Sequence, residues 1–346
     1  MNTLSERQKL ILGLVVQEYV DNAKPIGSKH LVELYDLDMS SATIRTEMVA
    51  LSKLGFLRQP HTSAGRIPTE DGYRVFVSEL MQRPALPENV RDTITHQFYQ
   101  ARYDVEQWMR LAASILAGRT HAASLVTAPQ SGISKFKHLE IISTTGKKAL
   151  MIIVFLNGEV HQHLMVLSES VAQDKLSAVA SQFNDLYSGQ EVNGLSAIPH
   201  GFSELERDLF SLVINELDQA GSSFAGEVFQ DGWKNILAEP EFSEAENVQK
   251  AIRVLEERPL LEDLLSQTVM KSEVGGIQVL IGGEGNWEEL SDFSLILSRY
   301  GTPDMATGIL GVLGPLRMSY GNAISTVTFV GGLLTNLVNE NMREEQ

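Results

Sequence analysis

Residues 40–72, SSATIRTEMVALSKLGFLRQPHTSAGRIPTEDG, restrict what this chain can fold into more than any other stretch. Ser40 and Ser41 are good N-caps, because a hydroxyl accepts a hydrogen bond from a free backbone N–H of the first helical turn. Ile44, Met48, Leu51 and Leu54 then recur at steps of three and four, which places them on one helix face. Gly55 stands where a left-handed residue ends a helix. Leu57–Pro60 and Ile67–Pro68 read as two strands around a polar tip, His61–Thr62–Ser63–Ala64–Gly65–Arg66. The other helix face carries Ala42, Thr46, Val49 and Lys53, with Thr43 and Arg45 on its flanks. A short, polar face that is basic at its N-terminal end suits the major groove of DNA. There arginine pairs with guanine, and threonine meets a methyl group or a phosphate. The same helix–hairpin order also serves in plain protein-binding modules, and an exposed Thr/Arg face is compatible with simple solvation.

The residues before this stretch extend the pattern. Ser5–Glu6–Arg7–Gln8 is a capping box, followed by a helix to about Asp21. Lys24–Pro25–Ile26–Gly27 is a turn. Ser28 is expected to cap a second helix, Lys29–Tyr35, that buries Leu31 and Leu34. Three helices and then a hairpin is the winged-helix order, in which the third helix enters the groove. The expected groove contacts are Ser41, Thr43, Arg45 and Thr46. From the hairpin tip come His61, Ser63 and Arg66, with Gly65 as a conformational residue. Lys29 and His30 are candidate phosphate contacts and equally plain surface residues. Thr69 caps a further helix with Tyr73, Phe76, Val77 and Leu80 on one face. Arg83–Pro84–Ala85–Leu86–Pro87 is the clearest linker, so a DNA-binding domain is expected over 1–83.

Charge supports that location. The chain carries a net −16, the wrong sign for an ordinary nucleic-acid binder, yet residues 1–83 hold ten basic and ten acidic side chains. All the excess acid lies beyond residue 83, so polyanion binding has to be local to the N-terminal part. With 346 residues there is room for two or three domains. Cysteine is absent, which removes disulfides, zinc–thiolate sites and cysteine nucleophiles together. No run of eighteen apolar residues suggests a membrane span, and MNTLSERQKL lacks a signal-peptide core. A cytoplasmic location without a membrane partner is expected.

Beyond the linker, residues 88–119 look helical, with Trp108, Leu111, Ile115 and Leu116 on one side. Ser124–Thr127, Leu139–Ser143, Ala149–Phe155 and Glu159–Val166 read as strands, with Thr145–Gly146 and Asn157–Gly158 as turns. Helices are expected over Asp174–Leu186, 203–220 and 244–268. Strands are expected over Ile277–Ile281, Ile309–Leu313 and Ser325–Val330, and a short helix over Leu333–Val338. The sum is an α+β fold, an antiparallel sheet with helices packed on it, interrupted by an inserted helical part over about 200–265. Catalytic motifs fail. Ile141 stands where a P-loop before Gly146–Lys147 needs glycine. Ser134–Lys137 fits S-x-x-K without its companion motifs. His161 and His163 share a strand face with no third ligand at metal-site spacing, so a solvated face is expected. Gly282–Gly283–Glu284–Gly285–Asn286 has glutamates where a phosphate cradle needs bare N–H groups. No enzyme activity, cofactor or metal is expected.

Taken together, SSATIRTEMVALSKLGFLRQPHTSAGRIPTEDGYR (40–74), IGGEGNWEELSDFSLILSRYG (281–301), GILGVLGPLRMSYGNAIS (308–325) and VFQDGWKNILAEPEF (228–242) resemble the heat-inducible transcription repressor family HrcA. The resemblance runs nearly end to end. It implies a homodimeric repressor built from an N-terminal winged helix-turn-helix (1–83), a GAF-like domain (84–199 and 266–346) and an inserted, mainly helical dimerising subdomain (200–265). It also implies an inverted-repeat operator, CIRCE, upstream of class I heat-shock operons, with activity supported by the GroEL chaperonin and lost on heat stress. Thr46 departs from the family, which commonly has Asn there, and GGEGN departs from a pattern closer to GEEN. A competing reading is a small-molecule-sensing winged-helix regulator, with a ligand in the GAF-like domain near Gly282–Asn286 or Arg317.

Overall fold

The computed structural model describes residues 4–61, 64–101, 104–130, 135–156, 160–190, 204–222, 227–242, 249–250, 252–253, 264–265, 268, 273–285, 287–303 and 305–344. The chain divides into two compact units. The first comprises 1–129, 227–301 and 308–346, and the second 130–226 with 302–307. The fold is mixed helix and antiparallel sheet. Thr62, Ser63, Ser134, Asn157–Gly158, Asn286 and most of 244–268 lie outside the described residues.

The first unit begins with helices α1 (Glu6–Asn22), α2 (Ser28–Leu34) and α3 (Ser41–Lys53). The capping box forms: Ser5 Oγ accepts from Gln8 N (3.2 Å) and Gln8 Oε1 accepts from Ser5 N (3.1 Å). Ile44, Met48 and Leu51 are buried, but Leu54 and Leu34 are exposed, because both fall in the last turn where the stripe runs off the core. Gly27, not Ser28, is the N-cap of α2. Gly55, at φ +88°, follows α3 in the left-handed region, and Phe56 N reaches back to Leu51 O (3.0 Å). The two-stranded antiparallel ribbon β1 (Leu57–Arg58) and β2 (Ile67–Pro68) follows, then α4 (Glu70–Val75), capped by Thr69 and continued as a π-helical turn over Phe76–Leu80. Met81–Pro87 carries no regular structure, as the prolines require, yet residues 1–83 cluster with the rest of the first unit and not apart from it.

The remainder of the first unit holds α5 (Glu88–Ala101), α6 (Val105–Thr120) and a five-stranded antiparallel sheet. Its strands are β3 (Ala123–Thr127), β7 (Val228–Asp231), β8 (Ile277–Ile281), β9 (Phe293–Thr302) and β10 (Ala306–Pro315), in the order β7-β3-β10-β9-β8. A short helix α9 (Trp233–Leu237) follows β7. The last element, α10 (Tyr320–Glu344), corrects the expected strand Ser325–Val330 and the separate closing helix. Ala323, Ile324, Val327, Val330, Leu334 and Leu337 are buried at helical spacing, and that stripe overrides the β-branched run STVTFV. By length and composition Tyr320–Glu340 matches a membrane span, but half of its most apolar window is buried, as a core helix requires. The expected boundary of the insertion shifts as well. β7 pairs with β3, so residues 228–231 belong to the first unit's sheet.

The second unit is a meander of β4 (Phe136–Ser143), β5 (Lys148–Phe155) and β6 (Val160–Val166) with α7 (Gln173–Tyr187) and α8 (Glu204–Ser222). These strands were expected in one sheet with the others; they form their own. Their inner set, Leu139, Ile141, Met151, Ile153 and Phe155, packs with Phe183 and Phe210 of the helices into one core. Phe183 sits at its centre, edge-on to Phe136 (4.9 Å) and tilted against Tyr187 (4.7 Å) and Phe210 (4.9 Å).

Candidate nucleic-acid interface

The outward face of α3 is set by its N-terminus. Ser40, not Ser41, is the cap: its Oγ accepts from Thr43 N at 3.1 Å and lies 2.9 Å from Thr43 Oγ1. Ser41 is the first helical residue. With the buried stripe facing α1 and α2, Ala42, Arg45, Thr46, Val49 and Lys53 are exposed, and Ser41 and Thr43 are half-buried. Thr46 Oγ1 donates to Ala42 O (3.0 Å), so the side chain offers its methyl group and an acceptor lone pair outward. Arg45 forms no ion pair among the described residues. Glu47 is the one acid on α3, and it turns inward, to Arg7 (3.8 Å) and Gln8 Nε2 (3.2 Å). The outward face is left polar and net basic.

A polar cluster around the buried Glu18 carboxylate fixes α2 against α1. Glu18 is 8% exposed and accepts from Tyr35 Oη (2.8 Å) and Asn22 Nδ2 (3.1 Å), with His30 Nε2 at 3.3 Å. Burial, followed by the Glu18 hydrogen bond and charge, pushes the Tyr35 hydroxyl up to about 12. His30 is therefore tied to the helix pair although its ring is exposed, and Lys29 beside it is exposed as well. Ile11, Val15, Glu18 and Asn22 share one face of α1, so a carboxylate inside an apolar stripe was the available signal for this cluster.

The ribbon places its residues unevenly. His61 is exposed, and its carbonyl accepts from Ala64 N (2.9 Å). Arg66 does not project from the tip. Its backbone bridges Ile26, with Ile26 N to Arg66 O at 2.9 Å and Arg66 N to Ile26 O at 2.8 Å, so it sits at the foot of β2. The side chain is half-buried, and its Nε has no hydrogen-bond partner among the described residues. Gly65 makes this bridge possible: a Cβ there would lie 2.3 Å from Ile26 O. Arg58 on β1 is exposed and was not among the expected residues. Strand alternation points it out, since Leu57 before it is buried.

Of the two places considered for a small ligand, the Arg317 guanidinium is taken up by the protein's own carboxylates. Arg317 Nε donates to Glu241 Oε1 (2.5 Å), and its Nη2 donates to Glu239. Burial alone would lower the Arg317 pKa; the hydrogen bonds and charges of Glu241 and Glu239 hold it above its ordinary value. At the glycine-rich loop, Gly282 and Gly283 have positive φ and let the chain close against α4, where a Cβ on Gly282 would meet the Glu70 carboxylate at 2.4 Å. In the second unit, His161 does not lie on a solvated face. It packs edge-on against Phe155 (5.3 Å), while His163 is exposed, and no metal-sized group of His, Asp and Glu occurs among the described residues.

Comparison with known proteins adds four findings. Residues 106–324 match the family model described as HrcA protein C terminal domain. The chain is 38% identical over 345 residues to a heat-inducible transcription repressor HrcA of Roseiflexus castenholzii, covering 97% of this chain and 95% of that one. It is 40% identical over 352 residues to the protein of that name from Chloroflexus aurantiacus, at 97% and 94% coverage. A crystal structure titled as a hypothetical protein at 2.2 Å resolution shares the fold, with a TM-score of 0.58, 23% identity, and coverage of 97% and 98%.

Proposed function

The chain belongs to the HrcA family of heat-inducible transcription repressors, and from that premise we propose that it is a cytoplasmic, homodimeric repressor of heat-shock chaperone operons. Residues 4–83 act as its winged-helix DNA-binding part. The observation that carries this reading is the outward face of α3, where Arg45, Thr46 and Ala42 stand exposed while the helix's one acid is turned to Arg7 and Gln8. Ser41, Thr43, Arg45 and Thr46 meet base edges or phosphates in the major groove. Exposed Lys29, Arg58 and His61 are the proposed contacts to the DNA backbone, with Ser63 and Arg66 the further candidates. The five-stranded sheet with α6 and α10 serves as the GAF-like part.

The dimerising role falls to the second unit. On the side of its sheet away from α7, Ile142, Leu150, Ile152, Val154, Val160, Leu164 and Val166 share a mainly aliphatic surface with His138, Glu140, Lys148 and Gln162, and Leu164 is 53% exposed. An exposed, mainly aliphatic face of this kind marks a place for a protein partner, and a second copy of the same face supplies one. Two-fold pairing explains why the operator is an inverted repeat, the CIRCE element: two copies of α3 meet grooves at whole turns of DNA, about 34 Å or a multiple apart. Support by the GroEL chaperonin acts through the binding-competent fraction, which enters the apparent affinity directly. Heat stress lowers that fraction.

A gel shift tests the reading. The full chain is mixed with an inverted-repeat duplex from upstream of a chaperone operon, with and without GroEL, beside a scrambled duplex. Preference for the repeat, strengthened by GroEL, is expected. Equal binding to the scrambled duplex refutes it.

A further inference from the structure

The last turn of α1 contains no Lys or Arg, although a helix C-terminus leaves carbonyls unpaired and favours positive charge. The cation comes from the far end of the chain. Arg317, in the turn between β10 and α10, donates through Nη1 to Val20 O (3.3 Å), while its Nε and Nη2 bond Glu241 and Glu239. Its side chain is only 12% exposed. A second arginine joins the same two parts of the first unit. Arg74 of α4 donates to Ile281 O (3.1 Å) and Glu284 Oε1 (3.3 Å) beyond its own helix partners Asp71 and Glu70. Between these attachments the rings of Tyr73 and Tyr320 pack at 5.9 Å.

The Arg317 attachment gathers two carboxylates and the negative end of the α1 dipole around one guanidinium. Without the guanidinium, two carboxylates and the negative end of the α1 dipole face each other in a half-buried place. The attachment then becomes a repulsion. We propose that Arg317 is a positioning residue for operator binding: it fixes the direction in which residues 4–83, and α3 with them, are held by the rest of the first unit. This rests on the repressor reading above. A pair of chains grips both half-sites only if each α3 is presented in one direction. A loosely held segment still finds one half-site, but at lower effective concentration for the second.

The test uses the full-length chain with Arg317→Met, with Arg317→Lys, and with Arg317→Met combined with Glu239→Gln and Glu241→Gln. Binding is measured to the inverted-repeat duplex and to a duplex with one half-site. Arg317→Met is expected to weaken the inverted repeat by about tenfold to a hundredfold and to leave the half-site unchanged. The combined variant recovers most of that loss, because the repulsion is gone, and Arg317→Lys falls between. The positioning role is overturned if Arg317→Met binds the repeat as the native chain does, if repeat and half-site weaken equally, or if the combined variant is no better than Arg317→Met. A native chain with no preference for the repeat over a scrambled duplex overturns the repressor reading instead, so the two failures are distinguishable.

Discussion

The outer face of α3 and the outer face of the β4–β5–β6 sheet are both turned to solvent, and they are made of opposite materials. On α3, the residues left over from the buried stripe are Ala42, Arg45, Thr46, Val49 and Lys53. On the sheet, the residues left over from the inner set are mostly aliphatic, Ile142, Leu150, Ile152, Val154, Val160, Leu164 and Val166, with His138, Glu140, Lys148 and Gln162 among them. Each element satisfies its own fold with its other face, so neither outer set is explained by folding. The first suits a charged, hydrated partner and the second an apolar one. Binding on the two faces therefore should respond to salt in opposite ways. Attachment to DNA releases counterions and weakens as salt rises, whereas burial of aliphatic surface is little screened and strengthens in kosmotropic salts.

The largest effect is expected on the sheet. Leu164→Asp should leave the circular dichroism of the folded chain nearly unchanged, since Leu164 faces outward, yet separate the proposed dimer in equilibrium sedimentation. Affinity for the inverted repeat then falls by about a hundredfold, the scale of lost bivalency. A variant that stays dimeric would remove this face from the interface.

Arg45→Ala comes next, at about 1–3 kcal/mol of specific binding if the guanidinium pairs with a guanine. Titration of operator and scrambled duplex at several salt concentrations separates the possibilities. Loss confined to the operator means base reading, and equal loss with a shallower salt slope means a phosphate contact. If sedimentation shows the dimer of the native chain weakening with salt as steeply as the DNA complex does, the contrast between the faces fails.

Ser40→Ala removes the cap that fixes the first turn of α3, and should cost about 0.5–2 kcal/mol in denaturant unfolding of the N-terminal residues. The smallest effect is alkaline. The Tyr35 hydroxyl is held up to about 12 by burial and by Glu18, so the unfolded chain, with a value near 10, loses its proton first. That contribution to stability is complete below about pH 10 and disappears as pH rises toward 12. Tyr35→Phe should flatten this part of the alkaline unfolding curve, and an unaltered slope would detach Tyr35 from the stability of the α1–α2 pair.

Much of the N-terminal part was legible from residue order. The capping box, the buried Ile44–Met48–Leu51 stripe, the Gly55 stop and the Thr69 cap are local devices, each decided within about two turns of chain. Arg66 shows where such reading stops. It belongs to the tip by sequence position, yet its backbone pairs with Ile26, forty residues earlier. STVTFV misled for a related reason. Its β-branched residues favour a strand locally, while the stripe from Ala323 to Leu337 has helical spacing and a sheet to cover. Phe293–Thr302 was not identified as a strand, because a strand buried along nearly its whole length shows no alternation.

Periodicity and caps by themselves determined the helices of the N-terminal part, the exposed face of α3 and the alternation of β4, β5 and β6, because those follow from contacts a few residues apart. Tertiary structure alone decided which strands share a sheet, that Arg317 serves the end of α1, and that Glu18 is an internal anchor. Those choices depend on which distant groups can satisfy a buried charge or an unpaired carbonyl, and chain order carries no record of that distance.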